Sequence, residues 1–391
     1  MRKIRFLAPC LLGLILLSAA RPALAGESPS RPRRNVILLV GDGMGLAAVA
    51  HAHIQQFGAA REAGRRNMER LPVLGYLYTG SADALVTDSA AAGTALFSGE
   101  KTCRGSLGVD KNGQHLKTVF EEAHEQGLAV GVITTVPITH ATPAATYAHV
   151  IKRRDYHDIF DWLLRSRFDV LLGAGKTEDN RYLPGDFAAR ARQAGYAVCR
   201  TAAELSAHRQ GPVLGIFGQE SLSYEFDRKD KPSPDPHLSD LVTKSLDLIG
   251  SDPDGFVLMV EGGSLDSAAH EGHFGRLLAE VLEFDRCVAL VCDWVERHSS
   301  WSDTLVVVTA DHETGELAIR DPRPDEEQEA YNGHGEVNLP APGKPAGWRF
   351  GSAGHSAVPV IVFSRGVGSE RLAGAQDNTN VCRAIRALLK K

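Results

Sequence analysis

The chain has 391 residues, with 43 Lys and Arg against 48 Asp and Glu and a formal net charge of −5. Four of the basic groups and no acid lie in the first 25 residues, so the remainder is more acidic still. That excludes nucleic acid as a partner, because a polyanion needs a basic face, and 43% hydrophobic with 23% charged residues excludes a largely disordered chain.

Residues 1–25 read as a cleavable signal peptide. Arg2, Lys3 and Arg5 make a charged start, Leu11 to Leu17 form an apolar run broken by Gly13, and Ala23-Leu24-Ala25 offers the small residues a signal peptidase reads. The apolar run is short for a bilayer span, so no stable membrane anchor is expected, and the mature protein should be periplasmic or secreted. Residues 26–34 read as a flexible lead-in and 35–391 as one domain. Five cysteines remain beyond the leader: Cys103, Cys199, Cys287, Cys292 and Cys382. An odd number leaves at least one thiol unpaired within a chain. Cys287 and Cys292 fall on a helical stretch about 140° apart around the axis, which makes them poor partners for each other. No Cys-x-x-Cys pair is present, which excludes a zinc ribbon.

Short runs rich in Val, Ile and Leu then follow in order: Val36–Val40, Val130–Thr134, Val170–Leu172, Val213–Phe217, Phe256–Val260, Leu305–Thr309 and Val358–Phe363. Unbroken apolar runs between helical patterns predict an α/β fold, a mostly parallel central sheet with helices on both faces. One helix carries Leu116, Val119, Phe120 and Ala123 on a single stripe with Gly127 as its stop. Another runs through Leu278, Leu282, Val288, Cys292 and Val295. Residues 221–237 and 320–349 lack this rhythm, and the latter reads as an excursion from the sheet.

In open α/β sheets, ligands bind beyond the carboxyl ends of the strands. Here three strands run into acids: Gly41-Asp42-Gly43-Met44-Gly45, Glu261-Gly262-Gly263 and Ala310-Asp311-His312-Glu313. One acid after a strand is ordinarily a cap or turn residue; three aimed at one sheet edge predict a polynuclear metal site. The glycine spacing at 41–45 misses the dinucleotide fingerprint, and Asp42 would repel a pyrophosphate. Asp266 and His270, four apart, share a helical face and offer an oxygen and a nitrogen to a metal such as zinc. His355, among small residues in Gly354-His355-Ser356, can reach a metal at the start of the last strand. His51, His53, His115, His124, His149 and His273 read as structural. Ser89, in Thr87-Asp88-Ser89-Ala90-Ala91-Ala92, precedes an Ala-rich helical run, where the plain reading is an N-cap. The same position presents backbone N–H groups to an anion. No Gly-x-Ser-x-Gly elbow surrounds it, so activation by metal suits this serine better than a Ser-His-Asp triad.

Gly41-Asp42-Gly43-Met44-Gly45, Thr87-Asp88-Ser89-Ala90-Ala91-Ala92, Ala141-Thr142-Pro143-Ala144, Val260-Glu261-Gly262-Gly263, Thr309-Ala310-Asp311-His312 and Gly354-His355 together resemble the alkaline phosphatases, in order and over essentially residues 35–391. The resemblance implies an exported, metal-dependent phosphomonoesterase acting on small phosphate monoesters through a phosphoserine at Ser89. It implies two Zn2+ and one Mg2+. Asp42, Asp311 and His312 match the ligands of the zinc that activates the serine, and Asp266, His270 and His355 those of the zinc facing the leaving group. Asp42, Thr142 and Glu261 match the magnesium site. Arg153 matches the arginine that holds the phosphate, with Arg154 beside it as the alternative. A homodimer is also implied.

Two positions depart from some members. His140 stands where certain bacterial enzymes have Asp and is similar to the animal enzymes, and Ser267 stands where others have Lys or His. A neutral imidazole at 140 makes it a modulator of the third site, which is expected to hold magnesium loosely and to accept another divalent ion. Two other functions compete. A phosphodiesterase of the same superfamily would usually carry a Thr nucleophile with an Asn nearby and no such arginine. An inactive periplasmic phosphate- or metal-binding protein would lack part of the metal-binding set, and no part of it is missing here. A sulfatase is set aside, since no Cys lies near Ser89.

Overall fold

Strands this apolar cannot leave a face in water, and the computed structural model buries them within one large sheet. The structure describes residues 33–58, 64–320 and 347–390. The segment expected to be a signal peptide and most of the expected lead-in lie outside the described residues, although Arg34, expected in the lead-in, already begins a strand. Among the described residues no helix is long and apolar enough to cross a membrane.

The strands are β1 (Arg34–Gly41), β2 (Val73–Tyr78), β3 (Ala129–Pro137), β4 (Val170–Ala174), β5 (Ala197–Cys199), β6 (Val213–Ile216) and β7 (Gly255–Gly262). They continue with β8 (Thr304–Thr309), β9 (Glu313–Thr314), β10 (Ala318–Arg320), β11 (Gly347–Arg349), β12 (His355–Ser356), β13 (Val360–Gly366) and β14 (Gly374–Asp377). Ten of them form the central sheet in the order β14-β2-β13-β8-β1-β7-β3-β4-β6-β5. Every neighbouring pair is parallel except those of β13, which runs antiparallel to β8 and β2. All seven expected strands are in this sheet. The last of them begins at Val360 and not at Val358, and its reversed direction could not be read from an apolar run. Three strands of the central sheet escaped the sequence reading. β2 alternates buried and exposed residues, β5 has three residues, and β14 is Gly-Ala-Gln-Asp, so none presents an apolar run.

Helices cover both faces of β1, whose residues from Asn35 to Gly41 are buried. Helix Phe274–His298 touches one side of it and packs on helix Leu238–Ile249, while helix Thr379–Leu389 touches the strand and packs on helix Ser89–Ser98. Helix Val119–Glu125 starts later than its apolar stripe, leaving Leu116 outside. The reason is a capping box: Thr118 Oγ1 accepts from Glu121 N at 3.1 Å, and the Glu121 carboxylate accepts from Thr118 N at 2.8 Å. The expected excursion over 320–349 leaves and returns through the antiparallel pair β10 and β11; the residues between them lie outside the described ones. All five described cysteines are free thiols.

Candidate metal centre

Parallel strands that all end on one edge deliver their first loop residues to one place. β1, β7 and β8 are neighbours in register, Val40 pairing with both Glu261 and Thr309. Asp42, Glu261 and Asp311 are therefore brought together by the sheet itself, each with no measurable exposure. The turn after β1 bends at Gly43, whose φ of +69° favours glycine. Gly43 N donates to Asp311 Oδ1 at 3.1 Å. A side chain at Gly43 would meet Asp266 Oδ1 and Thr314 Oγ1, each at 2.7 Å.

Asp266 and His270 sit on helix Ser264–His270, with His270 Nε2 3.2 Å from Asp266 Oδ2. His355 does not open the last sheet strand, as expected from sequence. It lies in the separate two-residue strand β12, paired with β9 immediately after Asp311 and His312. This ribbon stacks the His355 ring on that of His312, with centroids 3.6 Å apart. His355 Nε2 lies 3.2 Å from His270 Nε2.

The three histidines share one orientation, set by their outer nitrogens. His270 Nδ1 donates to Ala353 O at 2.6 Å and His355 Nδ1 donates to Thr87 O at 3.0 Å. Thr314 Oγ1 donates to Asp266 Oδ1 at 2.6 Å, which leaves it to accept from His312 Nδ1 at 3.2 Å. Each Nε2 is thereby turned inward as the donor atom, the arrangement that metal-binding histidines adopt. His312 Nε2 faces Ser89 Oγ at 3.2 Å, Asp311 Oδ2 at 3.3 Å and Asp42 Oδ1 at 3.5 Å.

The oxygens provide the test of fit. Asp42 Oδ1 and Oδ2, Thr142 Oγ1, Glu261 Oε1 and Asp311 Oδ2 are buried and make no hydrogen bond of ordinary geometry among the described residues, Glu261 crowding only against Thr142 and Asp42. Orphaned buried oxygens are costly, and these converge with the inward nitrogens. Donor atoms of Asp42, Asp311 and His312 lie within 4.8 Å of one another, as do those of Asp266, His312 and His355 and those of Asp42, His140 and Glu261. Nitrogen and carboxylate donors suit zinc, and the oxygen-rich Asp42, Thr142 and Glu261 set suits magnesium.

Charge agrees with geometry. Burial, reinforced by Asp311, Asp266 and Glu261, pushes the Asp42 carboxyl well above its usual range. Burial likewise pushes Glu261 up to about 8, against the hydrogen bond from Thr134. Its hydrogen bond to Asp266 raises His270 to about 9, and the proton held there is one that a bound cation displaces. His140 is pushed down to about 3 by burial and by the Arg153 guanidinium, which keeps its ring neutral. A cation among these carboxylates would lower them again.

Ser89 is not the N-cap. Asp88 caps helix Ser89–Ser98 by accepting from Ala91 N at 3.1 Å, which makes Ser89 the first helical residue, among free backbone N–H groups. Asp88 also holds Arg153, whose Nη1 donates to Asp88 Oδ2 at 2.9 Å while Nη2 lies 3.1 Å from His140 Nε2. Arg154, the alternative, is exposed and lies in a surface hollow with Tyr156 and Arg181. Asp88, Thr134, Gly43 and Thr314 were not assigned roles from sequence. Asp88 adjoins Ser89 and Gly43 adjoins Asp42, but Thr134 and Thr314 carry no motif. Of the histidines read as structural, His149 bridges Gly108 O and Glu121, and His273 caps helix Phe274–His298.

This chain is similar to known proteins along most of its length. The alkaline phosphatase family profile matches residues 33–332. Alkaline phosphatase 4 of Bacillus subtilis (strain 168) is 35% identical over 315 residues, covering 78% of this chain and 66%, just under two thirds, of that relative. Streptomycin-6-phosphate phosphatase of Streptomyces griseus is 33% identical, covering 98% of this chain and 96% of that protein. The crystal structure of a cold-active alkaline phosphatase from a psychrophilic Shewanella sp. superposes with a TM-score of 0.79 at 29% identity, covering 91% of this chain and 100% of the other.

Proposed function

Because the chain belongs to the alkaline phosphatase family, we propose that it is an exported, metal-dependent phosphomonoesterase that works through a phosphoserine at Ser89. The observation that carries this reading is the convergence of buried carboxylate oxygens lacking ordinary hydrogen bonds with inward Nε2 atoms, one of which, that of His312, meets the Ser89 hydroxyl. Asp42, Asp311 and His312 would hold one zinc, Asp266, His270 and His355 the other, and Asp42, Thr142 and Glu261 a magnesium. Ions bound there supply Lewis acidity to the attacking hydroxyl and to the departing oxygen.

The chain's own groups account for the rest. Ser89 Oγ attacks phosphorus in line, the bond to the leaving alcohol breaks, and a water then cleaves the serine ester to release phosphate. The helix N-terminus at Ser89 offers N–H groups to the phosphoryl oxygens. Arg153 presents a planar fork to two non-bridging oxygens, and Asp88 aims that fork. This set addresses the phosphoryl group and the leaving oxygen and makes few demands on the rest of the substrate, so broad specificity for small phosphate monoesters is expected. His140, neutral beside Arg153, makes the third site looser for magnesium and open to another divalent ion.

A homodimer completes the reading. Leu74, Tyr76 and Tyr78 leave one face of β2 at 56%, 43% and 52% exposure, with Leu85 and Val358 exposed nearby in the chain segments that lead to Ser89 and from His355. An apolar row of this kind suits burial against a second copy.

The experiment is release of p-nitrophenol from its phosphate monoester at alkaline pH. Wild type would be compared with chelated enzyme, with enzyme given back zinc and magnesium, and with Ser89→Ala. Activity lost on chelation, restored by metal and nearly absent in Ser89→Ala is the expected result. With a bis-p-nitrophenyl phosphate diester assayed alongside, a metal-replete enzyme that cleaves only the diester overturns the monoester reading, and one that cleaves neither favours a binding protein.

A further inference from the structure

The end of β3 carries two adjacent threonines that no motif marks, Thr134 and Thr135, both buried. Neighbours along a strand point to opposite faces, and these two hydroxyls reach two different parts of the metal centre. Thr134 pairs with Glu261 in the parallel register of β3 and β7. Its Oγ1 accepts from Val136 N at 3.1 Å and donates to Glu261 Oε2. Since the backbone donor occupies the acceptor side of Thr134, the hydroxyl proton is directed at Glu261. Glu261 Oε2 is thereby engaged, and Oε1 is the oxygen that makes no hydrogen bond of ordinary geometry, in a carboxylate grouped with Asp42 and His140.

Thr135 acts on the other side. Its Oγ1 accepts from Ser264 N at 2.9 Å and from Ser264 Oγ at 3.0 Å. Ser264 is the first residue of the helix that bears Asp266 and His270 two and six positions later. A short helix of seven residues has little stability of its own, so its position depends on where its first turn is tied. Gly263, just before it, approaches Val136 so closely that a side chain there would meet Val136 Cγ2 at 2.5 Å. The helix start is therefore held against β3 by both a hydrogen-bond pair and a close contact.

We infer that Thr134 and Thr135 are positioning residues that divide the metal centre between them, Thr134 orienting Glu261 for the third metal and Thr135 registering the helix that presents Asp266 and His270. This rests on the functional reading above, because the assignment of those ligands to separate metals does. Partners of metal ligands govern affinity by holding one donor orientation.

The test is metal binding, read apart from turnover. Zinc content would be measured after dialysis against a weak chelator, and magnesium affinity by calorimetric titration of the zinc-loaded protein. Thr134→Val is expected to weaken magnesium about 10- to 100-fold with zinc retained, and Thr134→Ser to restore it to within about threefold. Thr135→Val is expected to lose the Asp266–His270 zinc at a chelator concentration that leaves wild type loaded, and Thr135→Ser to keep it. Thr134→Val with wild-type magnesium affinity, or both valine variants losing zinc and magnesium alike, overturns the division of roles. A wild-type protein that takes up no metal overturns the functional reading itself, which is a separate result.

Discussion

Thr314 Oγ1 stands between Asp266 Oδ1, at 2.6 Å, and His312 Nδ1, at 3.2 Å, so a single hydroxyl joins the ligand sets of the two proposed zinc ions. With its proton on Asp266, it can only accept from His312, and that keeps His312 Nε2 free to face Ser89. Thr314→Val removes both bonds without changing the side chain's shape. Zinc affinity is expected to fall about 10- to 100-fold and kcat with it, while Thr314→Ser stays close to wild type. Zinc titration of the two variants checks this, and equal affinities in both would sink it.

Gly43 is held at a φ of +69° with Asp266 and Thr314 against it. Gly43→Ala adds about 1–2 kcal/mol of backbone strain and drives a methyl group into a proposed ligand. The expected outcome is a lower melting temperature together with zinc loss in excess of what the destabilisation explains. Comparing melting curves with and without added zinc separates the two effects. A variant that melts lower but keeps its zinc would show that the turn can yield without moving Asp266.

Arg153 is anchored by Asp88 and aimed past His140. Lysine keeps the charge but cannot make two parallel hydrogen bonds. Arg153→Lys is expected to lower kcat/KM about 10- to 100-fold and to weaken inhibition by inorganic phosphate in parallel. Steady-state kinetics with phosphate as inhibitor measures both. Unchanged phosphate inhibition would remove Arg153 from the phosphate site.

Glu280, buried on helix Phe274–His298, has its carboxyl pushed from 4.5 up to about 8, chiefly by burial and then by Glu225 and Glu283. A folded-state value above the unfolded one means that the native protein binds the proton more tightly. The glutamate therefore costs nothing below about pH 4.5, costs more as pH rises, and reaches its full cost above about pH 8. Glu280→Gln removes that cost. Its stabilisation should grow across this window and level off above it, at about 1–3 kcal/mol. Denaturant melts at pH 5, 7 and 9, taken as ~2-unit steps through the window, check the trend; a gain that shrinks with pH would refute the sign.

The exposed β2 row offers a direct test of assembly. Tyr76 and Tyr78 contact each other, with ring centroids 5.7 Å apart, and both face solvent in the single chain. Buried aromatic anchors contribute about 2 kcal/mol or more each at an interface. Tyr76→Arg combined with Tyr78→Glu is expected to turn a dimer into a monomer in sedimentation velocity. A variant that remains dimeric would place the interface elsewhere.

Period and composition alone made much of this protein legible. Val36–Val40 and the other apolar runs announced a doubly covered sheet, because a strand without polar alternation has no face to give to water. Asp42, Glu261 and Asp311 follow directly upon such strands, so parallel topology alone implies their shared location. Ser89 and its neighbours were marked by motif.

What the residue order could not convey is whatever depends on contacts between distant segments. β13 runs antiparallel to both of its neighbours, and an apolar run carries no direction. His355 reaches His312 through a two-residue ribbon too short to leave a pattern. Arg153 and Arg154 are indistinguishable as letters, and only packing turns the first toward Asp88 and leaves the second in solvent. Thr134 and Thr314 each act through one hydroxyl on a partner 127 or 48 positions away. A hydrogen bond of that kind exists only once the sheet register and the turn at Gly43 have brought donor and acceptor within 3 Å or so, a matter of tertiary geometry.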